Sequence, residues 1–417
     1  HRALSRLFAP GREFRKSRHA DSTTPVGQEA HPAMPKIYLD YQSATPVHPE
    51  VIESMRPFFD KQFGSAASLN LYGLQARDAL KAARESIASF INAPSPDDII
   101  FTADGTESMN LAVKGIAWAN QTRGKHIVTS AIEHPGVLRS IEFLAQQGFT
   151  CKRIPVDDVG RIDPAAIAAS ITDETILVAT HLANHDLGTI QPVAELGTIA
   201  RQAGVPMFVD CEAAAGWMPL DLQALNADLL SFSPHRFYGP KGVGILYRSN
   251  RIPMTPLLHG GEQEAGRRAG IENIAAIVGG AKAVEMAPSI EQLLAVGKIQ
   301  GELWSQIEAQ IPNVRLNGPE PGSGQRILNS LNVSFSETEG EGIALAADMR
   351  GLVIASGPAC RGKALKVSPT LSAIGVPDEL ARANVLLSLG IQTTRKEIVA
   401  AAGILSKVLE RLRSLND

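Results

Sequence analysis

Cysteine is scarce in this chain. There are three in 417 residues, Cys151, Cys211 and Cys360, an odd number set far apart. A disulfide scaffold needs paired and clustered cysteines, so the pattern points instead to a reducing compartment with buried or reactive thiols, and the expected location is cytoplasmic. Charge of one sign is scarce too. Lys and Arg number 40 against 43 Asp and Glu, a formal net charge of −3. That argues against nucleic acid or an anionic membrane as the main partner. No apolar run reaches the ~20 residues of a membrane-spanning helix. No Cys, His or acidic spacing suits a metal site, and no internal repeat or low-complexity tract is present. The composition, 44% apolar and 20% charged, is that of a globular protein. The length exceeds one ordinary core, so two domains, or one large domain with a smaller partner, are expected.

Residues 1–33 stand apart. They are rich in Arg, Ser and Pro and lack hydrophobic periodicity, and their first part is basic and acid-poor. They read as a disordered extension or an organelle-targeting segment, with Met34 opening "MPKIYLDY".

From Ile37 onward, short apolar runs alternate with helical patterns. The runs are "DIIFTA" (98–103), "HIVTSA" (126–131), "TILVATHL" (175–182), "PMFVDC" (206–211), "DLLSFS" (228–233) and "GVGILY" (242–247). Near-continuous β-rich runs of this length suit strands covered on both faces. Amphipathic helices lie between most of them, such as 73–92 and 193–204, and the alternation predicts a mostly parallel sheet between helices. After about residue 290 come a long helix, "ILNSLNVSF", "GLVIAS" and a closing helix, which reads as a smaller α+β domain.

Ligands of such sheets bind beyond the carboxyl ends of the strands, so the residues just after each run are the candidates. Gly105 and Thr106 open a helix, where an N-terminus suits a phosphate, although Asp104 or Thr106 can equally be an ordinary N-cap. His134 follows a strand in "AIEHPGVLRS" and can stack on a planar ring, move protons or be a structural histidine. Asp210 ends the run "FVD". It can pair with a protonated pyridine nitrogen, or cap a helix beginning at Glu212. Ser233 and His235 can donate to the same phosphate as Gly105. Cys360 lies in "ASGPACRGKALK", where Arg361, Lys363 and Lys366 favour its thiolate.

Taken in order, "IYLDYQSATPV", "FTADGTESMNLAVKG", "IEHPGVL", "NHDLGTIQP", "VDCEAAAG", "SFSPHRFYGPKGVG", "HGGEQEAGRRAGIEN" and "SGPAC" resemble the cysteine desulfurases. These are a branch of the class V aminotransferases with the fold-type I pyridoxal-phosphate architecture. The resemblance implies an α/β large domain at 49–290, preceded by a segment at 34–48 that joins a small C-terminal domain at 291–417. It implies a homodimer that takes sulfur from cysteine. A loop cysteine becomes a persulfide, passed to an Fe–S scaffold or another acceptor. By motif, Thr106, Ser233 and His235 fall on phosphate contacts beside the helix start at Gly105, His134 on the ring-stacking imidazole, Asp210 on the pyridine-nitrogen partner and Cys360 on the persulfide-forming thiol.

Five other family positions are replaced. Arg236 stands where the Schiff-base lysine belongs. His185 and Ala213 replace an asparagine and a glutamine that bond the cofactor's phenolic oxygen. Leu386 replaces the substrate-carboxylate arginine, and Ile271 a threonine that reaches a phosphate across the dimer. Arginine keeps its charge at physiological pH and has no free amine, so it cannot form the internal Schiff base. Leu386 removes a clamp whose charge-assisted bonds are worth roughly 1.5–3 kcal/mol each. Nearby Arg382 is the one candidate substitute.

Three functions follow. The chain can be a desulfurase-like protein that carries or hands over sulfur through Cys360 without pyridoxal chemistry. It can be an active desulfurase holding pyridoxal phosphate non-covalently, with His134 or His235 moving protons. Or it can be an enzyme repurposed for an anionic substrate at Arg236 and His185, with Glu212 as charge partner or base. A metal or cluster held by Cys211, Cys360 and a histidine has no supporting ligand spacing.

Overall fold

The computed structural model describes residues 37–357 and 367–415. The expectations for residues 1–33, and for Cys360 with Arg361, Lys363 and Lys366, therefore lie outside the described residues.

Strand β1 (Ile37–Tyr38) is followed by β2 (Ile99–Thr102), β3 (His126–Ser130), β4 (Thr150–Ile154), β5 (Thr175–His181), β6 (Met207–Asp210), β7 (Leu229–Phe232) and β8 (Gly244–Arg248). Strands β2 to β8 form one seven-stranded sheet in the order β2-β8-β7-β6-β5-β3-β4. Only β8 runs against its neighbours β2 and β7, while the pairs β7–β6, β6–β5, β5–β3 and β3–β4 are parallel. Strands β2, β5, β6 and β7 are buried along their whole length, as their continuous apolar runs require. Two apolar layers cover the two faces. One includes Ile87, Phe101, Val128, Val178 and Phe232, and the other Ile100, Ile127, Leu177, Phe208 and Leu246. Strand β4 was not among the expected runs. It lies at the sheet edge with Thr150, Lys152 and Arg153 exposed, so it carries no apolar run.

The helices begin where side chains cap them. Asn70 accepts from the Gly73 N–H at the start of Leu71–Phe90, and Thr394 with Glu397 forms a reciprocal capping box at the start of Arg395–Arg413.

The smaller part is built on β9 (Val314–Asn317), β10 (Ser330–Phe335) and β12 (Asn384–Ser388), an antiparallel sheet in the order β12-β10-β9. Helices Ile290–Gln310 and Arg395–Arg413 supply Leu303, Ile307, Ile398 and Leu405 to its core beside Val333, Phe335 and Leu387. The stretch "GLVIAS" forms only the two-residue β11 (Leu352–Val353), which pairs in parallel with β1. The fold is thus α/β, a mostly parallel sheet between helices joined to a smaller α+β sheet. Among the described residues no helix is long and apolar enough to cross a membrane.

Candidate active site

The carboxyl ends of β2, β3, β5, β6 and β7 deliver the segments that carry the candidate residues. β6 ends on buried Asp210, where the Glu212 N–H donates to Asp210 Oδ1 at 2.9 Å. No helix begins at Glu212. Turns run from 212 to 214, and the next helix is Leu222–Leu225, so Asp210 holds a turn rather than a helix cap. Burial holds the Asp210 carboxyl well above its usual range, and the Glu212 charge adds to the effect.

After β7 the chain makes a short 3-10 turn over Pro234–Arg236. Ser233 Oγ donates to Glu212 Oε1 at 2.8 Å, and Arg236 Nε lies 3.7 Å from Glu212 Oε2. The Glu212 side chain is 4% exposed and that of Arg236 17%, so this is a buried ion pair. Burial raises the Glu212 carboxyl, while Arg236 and the Ser233 bond pull it down. Gly105 closes the same space from a third element, as the first residue of helix Gly105–Asn120. A methyl group there would lie 1.7 Å from Glu212 Oε1 and 2.9 Å from Ser233 Oγ. The Glu212 carboxylate therefore rests against the first turn of that helix, whose positive dipole end favours an anion.

His134 caps helix Pro135–Ala145, its Nδ1 accepting from the Gly136 N–H at 3.0 Å. Burial drives its pKa down to about 3, with Arg236 adding, so the ring is neutral. Its other nitrogen then bears the proton. The His185 ring packs edge-on at 5.2 Å from it. His235 is also neutral, its pKa lowered to about 4 chiefly by burial, and its carbonyl accepts from the Thr45 amide and hydroxyl.

Not every candidate joins this group. Thr106 and Arg382 are exposed. Ile271 is 68% exposed. Ala213 is buried and offers no polar atom. Leu386 is buried in β12, opposite Asn332 of β10, and its backbone bonds Ala355 in both directions. The position that the resemblance assigns to the carboxylate clamp thus holds a buried apolar side chain.

Two contributors escaped the sequence reading. Glu133, beside His134, accepts from Ser130 Oγ and pairs with His181 Nδ1 at 2.9 Å, all buried. The only signal was two polar residues at apolar strand ends, which strand-end reading does not rank. Tyr238 takes φ +68, a costly conformation for a bulky residue. Its N–H donates to Thr45 Oγ1 and its O accepts from His48, which ties the turn holding Arg236 to the N-terminal segment. Cys211 is wholly buried, and burial pushes its thiol well above the usual range, so it is not reactive. Among the described residues no group of three His, Cys, Asp or Glu is arranged to hold a metal.

Pyridoxal phosphate is the cofactor of the family the sequence resembles. The residues present do not fit it as that family holds it. Arg236, on the position the resemblance assigns to the lysine, carries a guanidinium, and the Glu212 carboxylate lies between Gly105 and Ser233, which the sequence offered to a phosphate. Asp210 and His134 remain in place for a ring.

The Aminotransferase class-V profile matches residues 37–400. Cysteine desulfurase IscS of Dictyoglomus turgidum is 41% identical over 91% of this chain and 96% of its own length. Its counterpart in Methanosarcina thermophila is 39% identical over 91% and 93%. Among solved structures, a NifS-like protein superposes with a TM-score of 0.82 at 31% identity, covering 90% of this chain and 99% of its own. SspA in complex with cysteine gives 0.76 at 32% identity, covering 86% and 100%. With these matches spanning both sheets and every strand-end segment of the site, the chain belongs to the cysteine desulfurase branch of the class V aminotransferases.

Proposed function

We propose that this protein is a sulfur-handling member of the cysteine desulfurase family that lacks Schiff-base chemistry and carries sulfur on Cys360. The observation that carries the reading is Arg236, a permanently charged side chain at the lysine position, paired with buried Glu212. Leu386 supports it, since a buried leucine cannot clamp a substrate carboxylate. In the proposed step the Cys360 thiolate attacks the outer sulfur of a small persulfide or polysulfide. The donor's S–S bond breaks, the donor leaves as a thiolate, and Cys360 becomes a persulfide with no net oxidation. A second thiol, on an acceptor protein or Fe–S scaffold, takes the sulfur by the same exchange.

A homodimer is part of the proposal. Phe59, Phe63, Leu69, Leu71, Tyr72 and Leu74 are exposed along one short stretch of the single chain, which suits a face covered by a second copy. The second reading is an active desulfurase with non-covalent pyridoxal phosphate. It is favoured by Asp210 and His134 standing at the ends of β6 and β3, and by the relatives named as cysteine desulfurases. The third, an anionic substrate at Arg236, is weakened because Glu212 already takes that charge.

The test is persulfide loading. After exposure to polysulfide, wild-type protein should carry one added sulfur per chain at Cys360, seen by mass spectrometry, and Cys360→Ala should carry none. An equal load on both proteins sinks the proposal. Sulfide released from cysteine with added pyridoxal phosphate would establish the second reading instead.

A further inference from the structure

Two residues from separate elements converge on the carboxylate of a third. Gly105 opens a helix after β2, Ser233 follows β7, and Glu212 crosses from the turn after β6 to lie between them. Ser233 is one of the positions that the family resemblance assigns to a phosphate, and Gly105 opens the helix whose N-terminus suits one. Both carboxylate oxygens are engaged, Oε1 by the Ser233 hydroxyl at 2.8 Å and Oε2 by Arg236 Nε at 3.7 Å. Arg236 Nε is buried and has no hydrogen-bond partner, so the Glu212 charge is its compensation.

We propose that Glu212 is a resident anion that fills the phosphate subsite, with Arg236 as its counter-charge, so that the pocket is closed from within to phosphorylated ligands. This rests on reading Arg236 as the replaced lysine, and it adds a second, separable obstacle to the cofactor. Three observations carry it. The first is space. The 1.7 Å separation between Glu212 Oε1 and a methyl at Gly105 leaves no room for a phosphate oxygen on that helix end. The second is charge. A phosphate would meet a buried carboxylate in a region of low dielectric, with Asp104 adding negative charge nearby. The third is anchoring. The Glu212 amide is bonded to Asp210, and its neighbours Cys211 and Ala213 are buried, which holds the turn that aims the side chain.

The same geometry gives Gly105 and Ser233 a role without a cofactor. The glycine leaves space for the carboxylate, and the serine bonds it. It also removes Glu212 as a general base, because it is 3% exposed and both oxygens are occupied.

The test uses the full chain as wild type, Arg236→Lys, Glu212→Ala and the double variant. Each is incubated with pyridoxal phosphate and desalted. Visible spectra are recorded, and borohydride-reduced protein is weighed. In the double variant the lysine amine condenses with the aldehyde, water leaves, and reduction fixes one pyridoxyl phosphate per chain. Uptake is expected in the double variant and not in Arg236→Lys alone. If Arg236→Lys alone reaches the occupancy of the double variant, Glu212 does not hold the subsite, while the Arg236 reading stands. Sulfide production from cysteine by the wild type would overturn both.

Thermal shift with inorganic phosphate provides a second readout that needs no lysine. Glu212→Ala removes both the volume and the charge. Phosphate should raise its melting temperature, and the apparent Kd should be at least tenfold tighter than for wild type. Equal phosphate responses in the two proteins would overturn the proposal.

Discussion

Truncation of Arg236 to alanine tests the buried pair on which the functional reading rests. Removing one partner of a buried ion pair costs about 3–5 kcal/mol, because the other charge is left without compensation. Here the low end applies. The Nε–Oε2 separation is 3.7 Å, beyond a direct hydrogen bond, Arg236 keeps 17% exposure, and Ser233 still bonds Glu212. A loss of about 3 kcal/mol corresponds to a fall in melting temperature of roughly 4 °C for a chain of this size. The deficit should depend on pH. Glu212 already binds its proton more tightly folded than at its ordinary 4.5. Without Arg236 it binds it more tightly still. Between 4.5 and that raised value the folded state holds more protons, so stability falls as pH rises through the window. The variant should therefore approach wild type on acidification and show its full deficit above the raised value. Glu212→Gln combined with Arg236→Ala should restore most of the loss, with a coupling of about 1–3 kcal/mol. Calorimetry at fixed protein concentration across pH provides the measurement. A variant within about 0.5 kcal/mol of wild type at neutral pH, the range of ordinary surface substitutions, would refute the reasoning. So would a deficit independent of pH.

Other outcomes follow from the same geometry. His134 and His235, lowered to about 3 and about 4, should stay neutral between pH 5 and 8 in ring-nitrogen NMR. Both depressed values make stability fall as pH drops below about 6.5, where the unfolded histidines take up protons. A ring titrating near 6.5 would contradict the burial argument. Gly105→Ala should destabilise by about 1–3 kcal/mol through overpacking against Glu212. Most of that cost should vanish in a Glu212→Ala background, and an equal cost in both would show that the carboxylate is not against the helix. Arg326, buried among the carbonyls of Leu187 at 2.7 Å, Asn317 at 2.6 Å and Ser330 at 3.1 Å, joins the segment after β5 to the smaller sheet. Arg326→Ala should cost more than ~3 kcal/mol, since each abandoned buried carbonyl costs about 1–3 kcal/mol. Lysine should not rescue it, because it lacks the fork. Denaturant titration of both variants checks this.

Much of the architecture is written locally. Six strands of the large sheet appear as apolar runs because both their faces are covered, and Asp210, His134 and Ser233 are found simply by following the chain past each run. Strand β4 escaped because an edge strand keeps a wet face, so Thr150, Lys152 and Arg153 break the pattern. The motifs around these strands were enough to identify the family and to single out Arg236 by its place among them, since both are statements about residue order.

Tertiary structure alone decided what that arginine does. Glu212, Gly105 and the turn holding Ser233 and Arg236 lie on three different elements, and no periodicity records which of them meet. The sequence left Glu212 open as a cap-side residue, a charge partner or a base. Sheet order brings the ends of β6 and β7 side by side and sets the helix after β2 against them, so the carboxylate has one anion-binding corner to enter. Residue identity determined that position 236 carries a guanidinium with no free amine. The register of distant strands determined that a carboxylate occupies the space, because burial forces a charge to find its partner in three dimensions.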